Sequence, residues 1–251
     1  MIRHSIRVKA DVWINGRFVG ANSPTETLKD DIVTEMGTCG KKVTIIDKIC
    51  LVDDQGTERD CTTDLSYEDH SPNYVLVKGS IQATASYTVA KIRAYSVDKL
   101  YFETDYSVAL NQGDVLDVTY QISATVSCSL SGSVTQLECD PSGYIQNLLK
   151  AFIGADRAVL CLKRALLMYY SETEGKYVSG LAITLSISYD TAQNKVTGSG
   201  SGTSTLDFEA EYLEYDNGAN PPVPLIEQHF SQTLPIYRDT VVNVSYEFTV
   251  Q

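Results

Sequence analysis

Few side chains in this sequence have chemistry to offer, and they are scattered. His4, His70 and His229 are the only histidines in 251 residues, and none adjoins a motif serine or cysteine. A Ser-His-Asp or Cys-His site is assembled in space, so scatter alone does not exclude one, but no Gly-x-Ser-x-Gly elbow is present and the chain reads as a non-enzyme. Six cysteines, Cys39, Cys50, Cys61, Cys128, Cys139 and Cys161, contain no Cys-x-x-Cys. No two Cys or His ligands have structural zinc spacing, so no metal or cofactor is expected. Six cysteines can pair in 15 ways, and spacing does not choose among them. Cys128 and Cys139 flank Ser131-Gly132, a turn signal, which makes them the candidate disulfide. Cys50 and Cys161 fall inside apolar runs as small hydrophobes. A chain made in a reducing cytosol is expected to keep its thiols, unless its source is a hyperthermophile or it leaves the cell by a route other than secretion.

Carboxylates and aromatic rings supply the remaining candidates. Asp53, Asp54 and Asp60 surround Gly56 and form a possible set of hard oxygen ligands for calcium, without the order or closing glutamate of an EF-hand. The default for such a cluster is a solvated loop. Sixteen tyrosines accompany one tryptophan. Tyrosine is a good strand former on half-buried faces, which accounts for Tyr87, Tyr120 and Tyr246. Tyr67, Tyr74, Tyr169 and Tyr170 stand near loops and are candidates for partner contacts, together with Trp13, Asn15 and Phe18 of an N-terminal hairpin.

The elements that position these residues begin with that hairpin: two β-prone runs, Ala10 to Ile14 and Arg17 to Val19, joined by Asn15-Gly16, a pair suited to a type I′ turn. Ser23-Pro24-Thr25-Glu26 reads as an N-cap, a first-turn proline and a capping-box glutamate, opening a helix over residues 24–36. Short apolar runs follow at 43–46 and 49–52, then a polar surface loop over 53–73. Strand-like alternation continues from residue 74 to residue 127. Asp140-Pro141 opens a second helix, closed by Gly154, and an apolar strand follows over 157–170. More strands follow, separated by turn clusters that include 198–202.

The closing strands repeat. Leu116-Asp117-Val118-Thr119-Tyr120-Gln121-Ile122-Ser123 matches Val242-Asn243-Val244-Ser245-Tyr246-Glu247-Phe248-Thr249 in residue type. Helix, apolar strand, variable middle and terminal alternating strand thus occur twice, as in a tandem duplication.

These phrases resemble a family of β-sandwich domains in tailed-phage virion proteins, associated with tails or tail fibres. In it a leucine-bearing helix precedes a strand like YIALGTG, and the domain closes with a phrase like GxLFxRxxFxxxxKxxxDTLTVTWxIxF. Lys99-Leu100-Tyr101-Phe102 is similar to the start of that phrase, Gly113 to Ile122 to its end, and Arg238-Asp239 through Phe248 to its end again. The Gly-Thr-Gly is missing from both copies. The resemblance implies a virion component that reaches the outside by assembly and lysis.

The fold expected is therefore mainly β: a hairpin arm at 1–22, a β-sandwich of jelly-roll or Ig-like type at 23–135 and a second at 136–251, each opened by one short helix and each with its own core. The 32 acidic against 20 basic residues give a net charge of −12, which argues against nucleic acid or an anionic membrane as partner. No apolar run reaches the length of a membrane helix, and the N-terminus does not read as a secretory signal. The function expected is that of a non-enzymatic virion structural protein in a tail, a tail fibre or a capsid decoration. It would be synthesised in the host cytoplasm and would be homo-oligomeric, with other virion proteins as partners and a host-surface glycan as a further one. The alternative is a carbohydrate-binding or adhesin-like module. An enzyme ranks third, and would need His70 or His229 clustered with carboxylates in one pocket.

Overall fold

In the computed structural model, which describes residues 2–130 and 137–251, the protein is mainly β. The elements in chain order are β1 (Ile2–Ile14), β2 (Arg17–Asn22), α1 (Glu26–Thr38), β3 (Lys48–Asp53), β4 (Glu58–Thr62), β5 (Leu65–His70), β6 (Tyr74–Gln82), β7 (Tyr87–Ser96), β8 (Lys99–Leu110), β9 (Val115–Leu130) and β10 (Leu137–Asp140). After these come α2 (Ser142–Phe152), β11 (Arg164–Ser171), β12 (Lys176–Thr184), β13 (Ser186–Asp190), β14 (Lys195–Thr203), β15 (Phe208–Asp216), β16 (Pro224–Ile236) and β17 (Val241–Val250). No helix among the described residues is long and apolar enough to cross a membrane.

Three sheets form. The largest runs β13-β14-β17-β1-β9-β6-β5, with β2 attached to β1; the others run β10-β16-β15-β11-β12 and β4-β3-β7-β8. The pairings recur between the halves: β3 pairs with β4 and β7 as β11 pairs with β12 and β15, and β6 pairs with β5 and β9 as β14 pairs with β13 and β17. Even the register agrees, since Tyr120 lies opposite Val77 and Tyr246 opposite Gly198.

β1 joins the two halves. Its first residues pair in parallel with β17, Ile2 to Ile6 against Tyr246 to Val250, and its whole length pairs antiparallel with β9. Alternation along β1 buries Ile6, Val8, Ala10 and Val12 almost completely, and each larger apolar side chain removed from water stabilises by about 1.5–3 kcal/mol. The hairpin turn has the positive φ values that a type I′ turn requires, 48° at Asn15 and 76° at Gly16. However, of the arm expected at 1–22, the described residues 2–22 are not free to reach a neighbouring subunit. Ile2 to Ile6 have both edges hydrogen-bonded within the chain, so β1 is a central strand.

The helices cross over. α1 packs against β13, β14 and β17 of the later half as well as β8, while α2 packs against β6 and β9 of the earlier half as well as β16. Phe152 of α2 meets Tyr101 and Phe102 of β8 at centroid distances of 6.3 and 6.1 Å. Each helix thus shields apolar surface of the opposite half, and one continuous buried cluster replaces the two separate cores expected. An ion pair lies inside this junction. Glu35, fully buried on α1, accepts both guanidinium Nη atoms of Arg157 and the backbone N–H groups of Lys42, Val43 and Leu160, the last three at 2.9, 3.0 and 3.1 Å. Cys39–Cys161 crosses the same place.

Several local expectations need correction. The cap of α1 is Thr25, whose hydroxyl accepts Leu28 N–H, not Ser23, and Cys39 closes the helix with φ 56°. Residues 43–46 form no strand: Ile46 N–H bonds to Phe152 O of α2, and β3 begins only at Lys48. The strand expected from residue 157 starts only at Arg164, since Arg157 turns inward to Glu35. The expected loop at 53–73 contains β4 and β5, and the expected turn at 198–202 is the middle of β14. In β14 the glycines serve close packing: a Cβ on Gly198 would lie 2.2 Å from the Tyr246 ring, and one on Gly200 would lie 2.4 Å from Thr184 O.

Candidate binding face

The outer face of the β16-β15-β11-β12 sheet gathers four aromatic rings from four strands. His229 on β16 stacks on Tyr212 of β15 at 4.8 Å, Tyr212 meets Tyr177 of β12 edge-on at 5.2 Å, and Tyr177 meets Tyr170 of β11 edge-on at 5.4 Å. Strand register places them: Tyr212 lies opposite His229, and Tyr170 opposite Tyr177. Tyr170 and Tyr177 are exposed at 47% and 46%, whereas Tyr212, at 7%, forms the floor beneath its neighbours.

Carboxylates interleave with the rings. Glu211 accepts the Tyr177 hydroxyl at 2.9 Å, and this bond raises the Tyr177 pKa by favouring the protonated phenol. Glu227 lies 3.3 Å from His229 Nε2 and opposite Glu214 in register. Burial, reinforced by the like charges of Asp216 and Glu227, lifts Glu214 to about 6, against the pull of Arg164. Arg164 itself is held on Asp216, with Nη2 2.7 Å from Oδ2. Burial and the surrounding carboxylates also push Tyr212 up to about 12. The face offers ring surfaces and hydroxyl donors beside acceptor oxygens, a combination that holds a ligand by stacking and hydrogen bonding.

The candidates named from the sequence are dispersed. Asp53, Asp54 and Asp60 do not converge on a cation. Asp53 is occupied by Gln55 N–H, Thr57 N–H and Arg59 Nε at 3.0, 2.7 and 2.5 Å, and Asp60 by Thr84 N–H, the Thr84 hydroxyl and the Tyr87 hydroxyl at 3.1, 2.7 and 2.8 Å. Burial acts to raise both groups, but these bonds outweigh it and hold both below the ordinary carboxylate range. Among the partner-contact candidates, Trp13, Phe18 and Tyr170 are exposed, and Trp13 packs edge-on against Phe18 at 5.5 Å. Asn15 is used internally, accepting Asp117 N–H at 2.9 Å. Tyr67 donates to Ile46 O at 2.8 Å, Tyr74 packs on His70 at 4.7 Å, and Tyr169 packs on Phe208 at 5.3 Å. His70 lies 3.2 Å from Glu68 and His229 3.3 Å from Glu227, both on open sheet surface, with Glu138 also opposite His229 across the β10–β16 pair, while His4 is buried, its pKa lowered to about 3 by desolvation.

All six cysteines are oxidised, contrary to the expectation of thiols: Cys39–Cys161, Cys50–Cys61 and Cys128–Cys139. Cys50 on β3 and Cys161 in the segment before β11 are buried as expected of small hydrophobes, but each is bonded to a partner that its own neighbourhood in the sequence does not reveal. Cys128 and Cys139 are joined, although β10 pairs with β16 and not with β9; the Ser131-Gly132 turn proposed between them lies outside the described residues. Sequence reading overlooked Tyr177, Tyr212, Glu211, Glu214 and Glu227. The alternation Tyr212, Glu214, Asp216 was visible, but the cross-strand partners that complete the row were not.

Comparison of the chain with protein-family models, with curated proteins and with solved structures finds no match.

Proposed function

We propose that the chain is a tandem pair of one antiparallel β-sandwich unit with exchanged helices, and that it serves as a non-enzymatic structural component of a tailed-virus particle. It would act through surface contacts with copies of itself and with other particle proteins. The observation carrying this reading is the recurrence of one strand-pairing scheme in both halves, fused through β1 into a single seven-strand path. A duplicated unit cross-braced in this way presents similar surfaces twice on one rigid block, which suits repetitive assembly. The three disulfides fit a protein that functions outside a reducing compartment. Peptide mass spectrometry of purified particles tests it: the chain should be present in stoichiometric amount, and its absence overturns the reading.

The aromatic row favours a second reading, a glycan-binding module. Exposed tyrosines stack on the apolar faces of sugar rings, and Glu211 and Glu227 accept sugar hydroxyls. On a glycan array, the isolated protein should then give signals that Tyr170→Ala and Tyr177→Ala abolish. A symmetric oligomer that binds no glycan supports the first reading against the second.

A further inference from the structure

We propose that reduction of the Cys128–Cys139 bond converts its surroundings into a zinc site, with the two thiolates and His4 Nδ1 as ligands. This inference is independent of the particle reading. The residues come from two sheets. His4 on β1 lies directly opposite Cys128 on β9, and Gln228 on β16 lies directly opposite Cys139 on β10, so the disulfide ties one strand pair to the other. His4 Nδ1 is 3.1 Å from Cys128 Sγ, and the imidazole nitrogen and the two sulfurs all lie within 4.8 Å of one another.

The imidazole is oriented for this role from both sides. Its ring stacks on Phe248 at a centroid distance of 4.2 Å. Its far nitrogen, Nε2, is 3.2 Å from the amide nitrogen of the fully buried Gln228, whose Oε1 has no hydrogen-bond partner among the described residues. Turning that amide over places Oε1 on an Nε2–H donor. This gives the orphaned oxygen a partner and fixes the tautomer whose Nδ1 lone pair faces the sulfurs. Ligating histidines characteristically donate their second N–H to a buried acceptor in this way.

The geometry of the bound state is within reach. Tetrahedral zinc with bonds of about 2.3 Å to sulfur and 2.0 Å to nitrogen needs ligand separations of about 3.5–3.8 Å. The imidazole nitrogen and the two sulfurs already lie within 4.8 Å of one another, so small side-chain movements reach that spacing once the sulfur–sulfur bond is broken. Cys128 and Cys139 are only partly buried, which leaves an entry path and room for a water as fourth ligand. A dithiol reductant supplies two electrons and two protons, becoming a disulfide and leaving two protein thiols; zinc then displaces both thiol protons. Two thiolates with an imidazole match the borderline softness of Zn²⁺.

The test uses the full chain with Cys50→Ser and Cys61→Ser, which removes the other group of potential ligands, Cys50, Glu58 and Cys61. After anaerobic reduction with a phosphine and dialysis against zinc chloride, one zinc per chain is expected, and none in the oxidised protein. Cobalt substitution should give thiolate charge-transfer and tetrahedral d–d bands. His4→Phe, which keeps a ring on Phe248, should weaken zinc binding by at least about tenfold. Should that variant not fold, zinc protection against alkylation is read in the parent: Cys128 and Cys139 should react with iodoacetamide much more slowly with zinc than without. A reduced, folded protein that takes up no zinc, equal affinity in a folded His4→Phe variant, or unprotected Cys128 and Cys139 overturns the proposal.

Discussion

Replacing Glu35 by glutamine keeps the shape of the side chain but leaves Arg157 as an uncompensated buried charge. The carboxylate accepts both Arg157 Nη atoms and three backbone N–H groups, and the two side chains of the pair are only 4% and 0% exposed. Breaking a buried pair on one side costs about 3–5 kcal/mol. For a chain of this length each kcal/mol moves the melting temperature by about 2–4 °C, so Glu35→Gln should melt about 6–20 °C below the parent. Arg157→Met should cost a similar amount by removing the only cation beside Glu35 among the described residues. The double variant should cost less than the sum, with a coupling of about 1–3 kcal/mol. The assay is equilibrium denaturation in guanidinium, followed by tyrosine fluorescence and far-ultraviolet circular dichroism. Because Glu35 belongs to α1 and Arg157 to the segment after α2, and because each helix covers the opposite half, both probes should report one transition. A loss below about 1 kcal/mol in Glu35→Gln, or two separable transitions in the parent, would refute the account of a shared core.

The remaining predictions concern the cross-links, the packing and the pH response. Cys39–Cys161 has a sequence separation of 122 and the other two disulfides separations of 11, so chain entropy assigns about 5 kcal/mol to the first and about 3 kcal/mol to each of the others. Paired Cys→Ala variants compared by denaturation should rank in that order, and equal losses would contradict it. Gly198→Ala should destabilise by about 1–3 kcal/mol, because its Cβ would meet the Tyr246 ring. In the Tyr246→Ala background the added cost should shrink, as a double-mutant cycle would show. Glu214 binds its proton more tightly in the folded chain, at about 6 against an ordinary 4.5, so its contribution is favourable below pH 4.5 and is lost as pH rises through 6. After allowance for solvent screening, Glu214→Gln should gain about 1 kcal/mol at pH 7 and nothing at pH 4, as melting curves at the two pH values would show.

Much of the fold was legible because it rests on local chemistry. Asn15-Gly16 specifies its turn through φ values that few other residues tolerate. The leucine and isoleucine spacing after Thr25 and after Asp140 specifies two helices, and strict alternation specifies β9 and β17, whereas of β1 only residues 10–14 stand out as a strand. The matched phrases around Tyr120 and Tyr246 mark positions that share a pairing register in space. Sequence and structure part where a polar or glycine-rich composition, which suggests loop, forms strand instead. β4 and β5 tolerate polar residues because most of their side chains face water, and β14 uses glycine because Tyr246 and β12 press on it.

The sequence by itself determined the hairpin turn, the two helices, the long alternating strands, the acidic charge and the doubling of one pattern, since each depends on residues close together in the chain. Only the tertiary structure decided that β1 is shared between the halves, that α1 and α2 cover opposite halves, that Glu35 meets Arg157, and that Cys39 bonds to Cys161. It alone aligned Tyr170, Tyr177, Tyr212 and His229 across four strands, and set His4 beside Cys128. Those relations join residues as far apart in the chain as Ile2 and Tyr246, and the free energy that selects them comes from burying one common core, a quantity to which no local stretch of sequence is proportional.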